Sequence, residues 1–552
     1  MTDLILTNAR VLTMDAGYPR AGAVALRAGR IAAVGAPGEI EAMAGRATRV
    51  VDMGGRTVLP GFHESHMHLF AGGAEMTHLQ LGGVRGLPAL AARVQDWARA
   101  HSDRVILAQA ADHGMLGKTQ IDRAVLDLVL PDRPLLLVAQ DHHTAWANTA
   151  ALLAAGLLQG QATPPGTEVV MGRDGLATGE LRESAAFGPV LALAGGDRPR
   201  LGLDTGEEPV PAPLQAEREA DKVMIRAGLA HVARHGITSV TNMDGNGYTL
   251  ELLAEIEAEG GLTARLKVPF HFKNHMDDGA LATAAALAAR WQGDWLSSGF
   301  VKLFMDGVLD SRTAVMLHDY ADQPGWRGEP LFEAARFARL ATAIDRLGLQ
   351  IAVHAIGDGA VRIVLDGYAA AQRANGARDA RHRIEHIEVI DPADIARFAA
   401  LGVVASMQPP HPPGAMDFPL EPTLTRIGQS RWKDAFAVRA LKEAGAQIAF
   451  ASDWPISDIN PLRGIQAAMT RKVWGKDDPD QRLGLMEALA AYTSGGAFCE
   501  HAETRKGMIR AGFLADLVVL SGDIEAVPAE GIASLSVDLT ICGGRVVYGD
   551  LV

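Results

Sequence analysis

The chain has 552 residues, of which 48% are hydrophobic and 21% are charged. This composition is typical of a globular protein, and the length exceeds what one compact core usually supports, so we expect more than one structural unit. Acidic residues outnumber basic residues by 65 to 52, and the resulting net charge of -13 disfavours nonspecific binding of nucleic acid.

Targeting and membrane signals are not evident in the sequence. Residues 1–7 carry no basic segment, and no apolar run approaches the ~18 residues that a membrane-spanning helix needs. We therefore expect a cytoplasmic protein with a small-molecule substrate and without nucleic-acid or membrane partners. The only cysteines, Cys499 and Cys542, are too few for a disulfide framework, so nitrogen and oxygen atoms would have to hold any bound metal.

Short strands separated by turns are predicted at both ends of the chain. Residues 4–13, 23–34 and 50–59 have this pattern near the N-terminus, and residues 515–520 and 540–548 repeat it near the C-terminus. We expect the two ends to share one sheet.

The middle of the chain alternates brief apolar strands with longer helical patterns. Strand-like runs at 236–240, 301–304 and 350–354 alternate with helical patterns such as 333–346 and 391–401, which predicts an α/β core with parallel strands. Polar residues at strand ends favour a (β/α)8 barrel, with a doubly wound sheet as the alternative. Residues from about 72 to 218 lack this alternation and are interpreted as an insertion.

A His-X-His pair follows the break at Pro60-Gly61. His66 and His68 are two residues apart on a strand-like run, and alternate residues of a strand face the same way, so both imidazoles could reach one cation. An isolated pair of this kind is more often a surface or core feature, so the other candidate ligands decide its meaning.

Lys302 lies in an apolar strand, where an unpaired lysine is costly. An ion pair with Asp306 and a functional role explain it equally well at this stage.

Three further polar residues lie near strand ends. His354 precedes a Gly-Asp-Gly turn, His386 lies in a strand-like run, and Asp453 precedes a Trp-Pro pair that ends a strand. Each alone could be a core polar group, but together with His-X-His and Lys302 they predict a metal site.

With these motifs in place, the sequence resembles the amidohydrolase superfamily, and within it the subgroup of N-substituted formamide deformylases (amidohydrolase family 3). The resemblance spans nearly the whole chain and rests on six segments. These are Pro60-Gly61-Phe62 with Ser65-His66-Met67-His68, Val301-Lys302-Leu303-Phe304 with Asp306-Gly307, His354 to Asp358, Glu385-His386, Ser452 to Pro455, and Lys506-Gly507 to Leu520.

The resemblance implies a distorted (β/α)8 TIM-like barrel at residues 60–503, with an insertion after the first barrel strand. It also implies a composite β-sandwich of residues 1–59 and 504–552. The implied cofactor is one or two divalent metal ions, usually zinc.

The resemblance assigns a role to each candidate ligand. His66 and His68 would bind the first ion, His354 and His386 would bind the second, and Lys302, carboxylated by carbon dioxide, would bridge them. Asp453 would contact the first ion and act as proton shuttle; a single-metal site is the alternative if Lys302 is unmodified. One departure from the family pattern is His63-Glu64, where an aliphatic residue and an aspartate are common; Glu64 could take the same supporting role.

These roles predict a metal-dependent hydrolase that cleaves the C–N bond of an N-formyl or N-acyl amine or of a carbamate. A metal-bound hydroxide would attack, and Asp453 would move the proton. One alternative is an aromatic-ring deaminase of the same superfamily, which the Ala-Ile-Gly-Asp sequence after His354 and the presence of Lys302 disfavour. The other is a noncatalytic regulatory protein on the same scaffold.

Substrate contacts are predicted from donors and aromatic surface near the ligand motifs. The candidates are His63, His142, Trp146, Arg312 and Trp454. Packing explains His63 and Trp146 at least as well, a structural ion pair explains Arg312 equally well, and a turn cap is the alternative for His142. The sequence does not fix the oligomeric state, and a homodimer is one possible assembly.

Overall fold

The computed structural model describes residues 2–139, 144–163, 167–195 and 197–551. The chain forms two compact units: unit 1 comprises Met1–Leu69, Thr205–Glu208 and Leu229–Val552, and unit 2 comprises Phe70–Asp204 and Pro209–Gly228. Within the described ranges, no helix combines the length and apolar character needed to cross a bilayer.

Secondary structure is mixed throughout the described residues. The strands β1 to β26 are Leu4–Thr7, Arg10–Leu12, Arg20–Ala21, Ala23–Arg27, Arg30–Gly35, Arg49–Asp52, Thr57–Pro60, Phe62–Met67, Leu79–Gln80, Ile106–Ala111, Leu135–Ala139, Thr144–Ala147, Glu168–Met171, Ala177–Arg182, Ile237–Asn242, Arg265–Lys267, Phe270–His271, Leu296–Ser297, Phe300–Phe304, Gln350–Ala355, Arg383–His386, Val404–Met407, Gln447–Phe450, Leu517–Leu520, Val537–Cys542 and Arg545–Tyr548. The helices α1 to α18 are Pro37–Glu41, Leu69–Met76, Leu87–Ala100, Arg123–Val129, Thr149–Ala154, Ser184–Leu193, Arg198–Asp204, Gln215–Arg234, Gly247–Ala258, Leu281–Arg290, Ala334–Arg346, Asp358–Asn375, Pro392–Leu401, Thr423–Ile427, Val438–Glu443, Pro461–Thr470, Leu485–Ala491 and Ser494–Cys499. Short 3-10 helices cover Asp278–Ala280, Gln429–Asp434 and Ala529–Ser534.

Both chain ends contribute to one sheet of unit 1. Its strand order is β26-β25-β24-β7-β2-β3, and β7 from the N-terminal end pairs antiparallel with β24 from the C-terminal end. A second sheet, β5-β4-β1-β6, faces it, because side chains of β1 and β4 and of β24 and β25 join one apolar cluster. The strand predicted at residues 4–13 divides at Asn8, whose φ of 50° interrupts the extended chain.

The other strands of unit 1 are parallel. They form a sheet of order β18-β16-β15-β8 and a sheet of order β17-β19-β20-β21-β22-β23. Near the carboxyl ends of β8 and β23, the Asp453 N–H donates to the His66 carbonyl at 2.9 Å and the His68 N–H donates to the Trp454 carbonyl at 2.8 Å. The carboxyl ends of β8 and β23 therefore lie side by side.

Helices connect these parallel strands, which confirms the predicted α/β class. The helix predicted at 333–346 is observed as α11, and the helix predicted at 391–401 is observed as α13. Asp391 caps α13 by accepting a hydrogen bond from the Ala393 N–H, and Pro392 begins the helix, where its missing N–H costs nothing.

The strand-like run from Val58 to Leu69 contains two strands that belong to different sheets. β7 ends at Pro60 in the sheet of the chain ends, and β8 begins at Phe62 in a parallel sheet. Gly61 joins them where a Cβ would lie 2.1 Å from the Thr238 hydroxyl oxygen, so only glycine fits. The close passage at Gly61 sets the position from which His66 and His68 emerge.

Unit 2 has its own six-stranded sheet, of order β13-β14-β12-β11-β10-β9. Two apolar clusters cover its faces, one with Leu90 and Leu135 and the other with Leu136 and Phe187. The boundaries of the predicted insertion and of the composite sandwich stay predictions.

Candidate metal centre

Three of the predicted ligands converge at the carboxyl ends of β8 and β23. His66 lies near the end of β8, His68 follows it, and Asp453 follows β23. One ligand atom from each residue lies within 4.8 Å of the other two, and the three residues are buried. The structure therefore brings together the three residues expected at the first ion.

Asp453 lies between the two histidines, within ion-pair distance of both. Its Oδ1 is 3.2 Å from Nε2 of His66 and 3.2 Å from Nε2 of His68, yet this oxygen has no hydrogen-bond partner within the described chain. Two ring nitrogens and one carboxylate oxygen that converge in this way form a donor set suited to a divalent cation such as zinc.

Electrostatics in this cluster also favour a cation. Burial alone would raise the pKa of Asp453, but the charge of His66 outweighs it and holds the pKa well below its ordinary value. Burial alone would lower the pKa of His68, but the carboxylates of Asp244 and Asp453 outweigh it and raise the pKa to about 9. A metal ion would take the place of the proton that His68 otherwise binds.

A buried carboxylate orients the ring of His66. Glu385 Oε2 lies 2.9 Å from His66 Nδ1, and Glu385 accepts hydrogen bonds from Arg383 Nε at 2.8 Å and from a terminal Arg383 nitrogen at 3.0 Å. The Glu385 carboxylate thereby holds the proton of the ring on Nδ1 and leaves Nε2 for a metal. Burial would raise the pKa of Glu385, but the Arg383 charge lowers it to about 2.

We expect Glu385→Gln to weaken zinc binding roughly 10- to 100-fold, because the neutral amide orients the imidazole less firmly. Competition with a chelating dye would measure the affinity. Asp516→Asn is the matched control, because Asp516 also receives two hydrogen bonds from a buried arginine, Arg265, outside this cluster. Equal affinity in Glu385→Gln and wild type would contradict the orienting role.

The other predicted ligands lie on three adjacent strands, β19, β20 and β21. His354 and His386 have ring centroids 4.4 Å apart, and the His386 ring lies 4.9 Å from that of His66. Lys302 is fully buried, with Nζ 4.7 Å from the centre of the Phe304 ring. The ring contacts link the histidines of the two expected metal positions into one continuous site.

Lys302 does not pair with Asp306. Its Nζ has no hydrogen-bond partner in the part of the chain that the structure describes. The Asp306 carboxylate instead accepts hydrogen bonds from the backbone N–H groups of Val315, Ile356 and Gly357 at 2.8 to 3.0 Å. The ion-pair explanation of Lys302 is therefore wrong, and Asp306 anchors the loops that follow β19 and β20.

Burial shifts the pKa values of these groups toward their neutral forms. It lowers the pKa of Lys302 to about 8. Burial, reinforced by the charge of Lys302, lowers the pKa of His354 to about 3, and burial with the charge of His354 lowers the pKa of His386 well below its ordinary value. Neutral imidazoles are the form that binds metal.

Glu64 and His63 have different surroundings although they are adjacent. Glu64 accepts hydrogen bonds from the backbone N–H groups of His66 at 3.1 Å and Ser452 at 2.9 Å, so it ties together the segments that carry the ligands. His63 Nε2 instead lies 3.3 Å from the Thr241 hydroxyl. His63 is 2% exposed, and its contact with substrate stays a prediction.

The other predicted substrate contacts differ in their surroundings. Arg312 donates two hydrogen bonds to Asp322, so the structural ion pair explains it. Trp146 is 4% exposed and packs in the core of unit 2 against the His113 ring. Contacts of Arg312 and Trp146 with substrate stay predictions. His142, like Asp141 and His143, lies outside the described residues.

Trp454 stays a predicted substrate contact. It is 7% exposed, its ring lies 5.3 Å from the His231 ring, and its backbone carbonyl accepts the His68 N–H. It therefore lies next to the cluster, although nothing about its packing requires a ligand.

Further polar residues lie near the cluster and were not predicted. Asp244 Oδ1 is 3.7 Å from His68 Nδ1, and His386, Glu388 and His411 form a second group with ligand atoms within 4.8 Å of one another. Both sets could be found in the sequence by extending the strand-end rule, because Asp244 follows β15 and Gln408-Pro-Pro-His411 follows β22.

Comparison with known proteins identifies the family of the chain. The family model described as "Amidohydrolase family" matches residues 49–548. The chain belongs to the amidohydrolase family. The Arabidopsis thaliana protein LONG AFTER FAR-RED 3 is 30% identical over 99% of this chain and 92% of its own length. The N-substituted formamide deformylase of Arthrobacter pascens is 27% identical over 95% of this chain and 94% of its own length.

A solved structure extends the family assignment to the fold. An uncharacterized metal-dependent hydrolase from Pyrococcus furiosus is similar with a TM-score of 0.73 and 26% identity, covering 94% of this chain and 99% of that one. Together with the family match, this likeness indicates an α/β, TIM-barrel-like fold for this amidohydrolase.

Proposed function

We propose that this amidohydrolase is a metal-dependent hydrolase that cleaves the C–N bond of an amide-type substrate, such as an N-formyl amine, an N-acyl amine or a carbamate. The observation that carries the proposal is the convergence of His66, His68 and Asp453, with Asp453 Oδ1 held 3.2 Å from two ring nitrogens. The similarity to an N-substituted formamide deformylase supports an amide-type substrate.

The residues fit two zinc ions better than one. His66, His68 and Asp453 would hold the first ion, and His354 and His386 would hold the second. Lys302 would bridge them as a carbamate, because carboxylation removes a buried ammonium that has no hydrogen-bond partner among the described residues and supplies two anionic oxygens. Such ions would lower the pKa of a water molecule to ~7 and polarise the substrate carbonyl.

The protein's own groups then move the proton. Asp453 accepts a proton from the attacking water and returns it to the nitrogen as the C–N bond breaks. The products are an amine and a carboxylic acid, or an amine and a carbonic monoester when the substrate is a carbamate, so atoms and protons balance. Glu385 keeps His66 in one orientation during these steps, and Glu64 holds the backbone of Ser452, the residue before Asp453.

Metal analysis followed by a substrate panel tests the proposal. We expect about two zinc equivalents, and turnover of N-formyl amines, N-acyl amines or carbamates but not of aminopurines. Lys302→Ala should bind less zinc and turn over these substrates more slowly, while His318→Ala, on an exposed histidine, is the matched control. Activity confined to aminated rings would indicate a deaminase, and a protein without metal or turnover would indicate a regulatory role.

The same proposal includes the closure of the parallel sheets into a barrel. The two parallel sheets would form the two parts of one distorted (β/α)8 barrel, with the composite β-sandwich at residues 1–59 and 504–552 beside it. The backbone hydrogen bonds between the ends of β8 and β23 support the closure. A small-molecule substrate, without nucleic-acid or membrane partners, belongs to the same proposal, and the oligomeric state stays a prediction.

A further inference from the structure

A buried polar cluster that the proposed reaction does not use surrounds Glu500, the residue after α18. Glu500 Oε1 accepts a hydrogen bond from the Thr241 hydroxyl at 2.8 Å and lies 3.4 Å from His63 Nε2. Glu500 Oε2 accepts a hydrogen bond from Lys506 Nζ at 2.7 Å, and Lys506 also donates to the Ser239 hydroxyl at 2.9 Å. The Glu500 side chain is 9% exposed, and the other four residues of this Glu500 cluster are buried.

The Glu500 cluster contains a buried ion pair. Burial alone would raise the pKa of Glu500, but the Lys506 charge outweighs it and holds the pKa well below its ordinary value. A buried ion pair adds little to stability, because both charges lose their water and apolar residues of similar volume often serve as well. Stability of the fold is therefore a weak explanation of the cluster.

The cluster joins two neighbouring strands to the end of α18. His63 belongs to β8, whereas Ser239 and Thr241 belong to β15. The helix passes close to β8, because a Cβ at Gly496 would lie 2.3 Å from His63 Cγ. This close passage brings Glu500 to the junction of β8 and β15.

The pairing of β8 with β15 is irregular at this junction. The register shifts between Phe62 and His63, and it shifts again between Glu64 and Met67, where β8 advances three residues while β15 advances two. His66 lies in this second irregularity, and such bulges re-aim side chains next to active sites. Because a register slip of one residue turns side chains to the opposite face, the aim of His66 depends on the shifted register.

We propose that Glu500 is a positioning residue of the metal centre, because it holds the shifted register of β8 against β15 and thereby aims His66 and His68 at the first ion. Glu500 holds β15 directly through Thr241 and, through Lys506, at Ser239 as well, so the side chains fix a register that the backbone ladder leaves irregular. This inference rests on the proposed function, since it concerns the same metal centre, and it adds a residue that acts through β8 and not by binding metal.

Glu500→Leu combined with Lys506→Met tests the role, because removal of both charges leaves no unpaired ion in the interior. We expect the metal-free double variant to unfold near the temperature of wild type, but the Kd for zinc to rise roughly 10- to 100-fold, as when other residues that support metal ligands are replaced. The visible absorption spectrum of the cobalt-substituted protein should also change, because it reports the ligand geometry. Arg265→Met combined with Asp516→Leu, which removes another buried ion pair, should leave the zinc Kd and the spectrum unchanged.

Thr241→Val is a milder variant that tests the same role if the double variant does not fold. It removes only the hydroxyl that donates to Glu500. We expect the Kd for zinc to rise at least ~3-fold, because one buried hydrogen bond is lost. Thr540→Val is the matched control, since Thr540 is a buried strand residue whose hydroxyl donates to the Ala233 carbonyl at 2.7 Å.

Wild-type zinc affinity and an unchanged cobalt spectrum in the variants of the Glu500 cluster would overturn the proposal, even if their stability fell, because the cluster would then serve only the fold. Neither readout needs turnover. A wild-type protein that binds zinc but hydrolyses none of the amide-type substrates would therefore contradict only the proposed function. A wild-type protein that binds no zinc would overturn both the metal centre and the positioning role of Glu500.

Discussion

Asp453→Asn is expected to lower kcat for amide hydrolysis by roughly 100- to 10,000-fold in the zinc-replete protein, the range typical of general acid–base catalysis. Asparagine has nearly the same shape and keeps an oxygen beside the histidine Nε2 atoms, but it cannot accept a proton from water or return it to the amine. KM should change much less than kcat, because the contacts of Asp453 are with His66 and His68.

Asp453 is expected to act both as ligand and as proton carrier, so the experiment must separate the two roles. Zinc content is measured for each variant, and turnover is compared at saturating zinc. Asp458→Asn is the matched control: it makes the same chemical change in the same loop, where Asp458 pairs with Arg463 at 2.5 Å. Full turnover by Asp453→Asn at wild-type zinc content would refute the role of Asp453 as proton shuttle. If added zinc restored the turnover of Asp453→Asn completely, Asp453 would act only as a metal ligand.

The positions of the candidate ligands could be predicted because each has recognisable flanking residues. His66 and His68 have the period of a strand, and His354 precedes a glycine turn that begins α12. The structure places these residues where the strand-end rule expects them. The α/β class could be predicted for the same reason, since apolar runs alternate with amphipathic helices.

Partners across the fold could not be predicted, because sequence distance says little about them. Asp306 is four residues from Lys302 and suggested an ion pair, but β19 ends between them and Asp306 turns toward loop backbone. The acceptor that matters for His66 is Glu385, which lies on β21. The sequence likewise did not identify Asp322 as the partner of Arg312.

Lys302→Met is expected to stabilise the metal-free protein by about 3 kcal/mol at pH 7, although it damages the metal centre. Burial lowers the pKa of Lys302 from 10.5 to about 8, and that difference corresponds to about 3 kcal/mol of cost for the buried ammonium. Methionine fills similar volume without the charge. Urea unfolding in buffer free of zinc and carbon dioxide would measure the difference in stability.

The stability advantage of Lys302→Met over wild type should decrease as the pH rises. Below pH 8 the folded and unfolded states are both protonated at Lys302, so the folded protein bears the full cost. Between about 8 and 10.5 the unfolded state holds more protons, so wild-type stability rises with pH relative to Lys302→Met, and the advantage of the variant disappears near pH 10.5. Lys118→Met, at an exposed position, should show no such trend.

In the presence of zinc and bicarbonate, wild type should be more stable than Lys302→Met. A carbamate at Lys302 carries no ammonium and would bind both ions, so wild type would gain stability from metal that Lys302→Met cannot bind as tightly. The crossover distinguishes a lysine that serves metal binding from one held by an ordinary ion pair. If metal-free Lys302→Met were less stable than wild type at pH 7, Lys302 would have a stabilising partner, and its assignment as the bridging group would lose its physical basis.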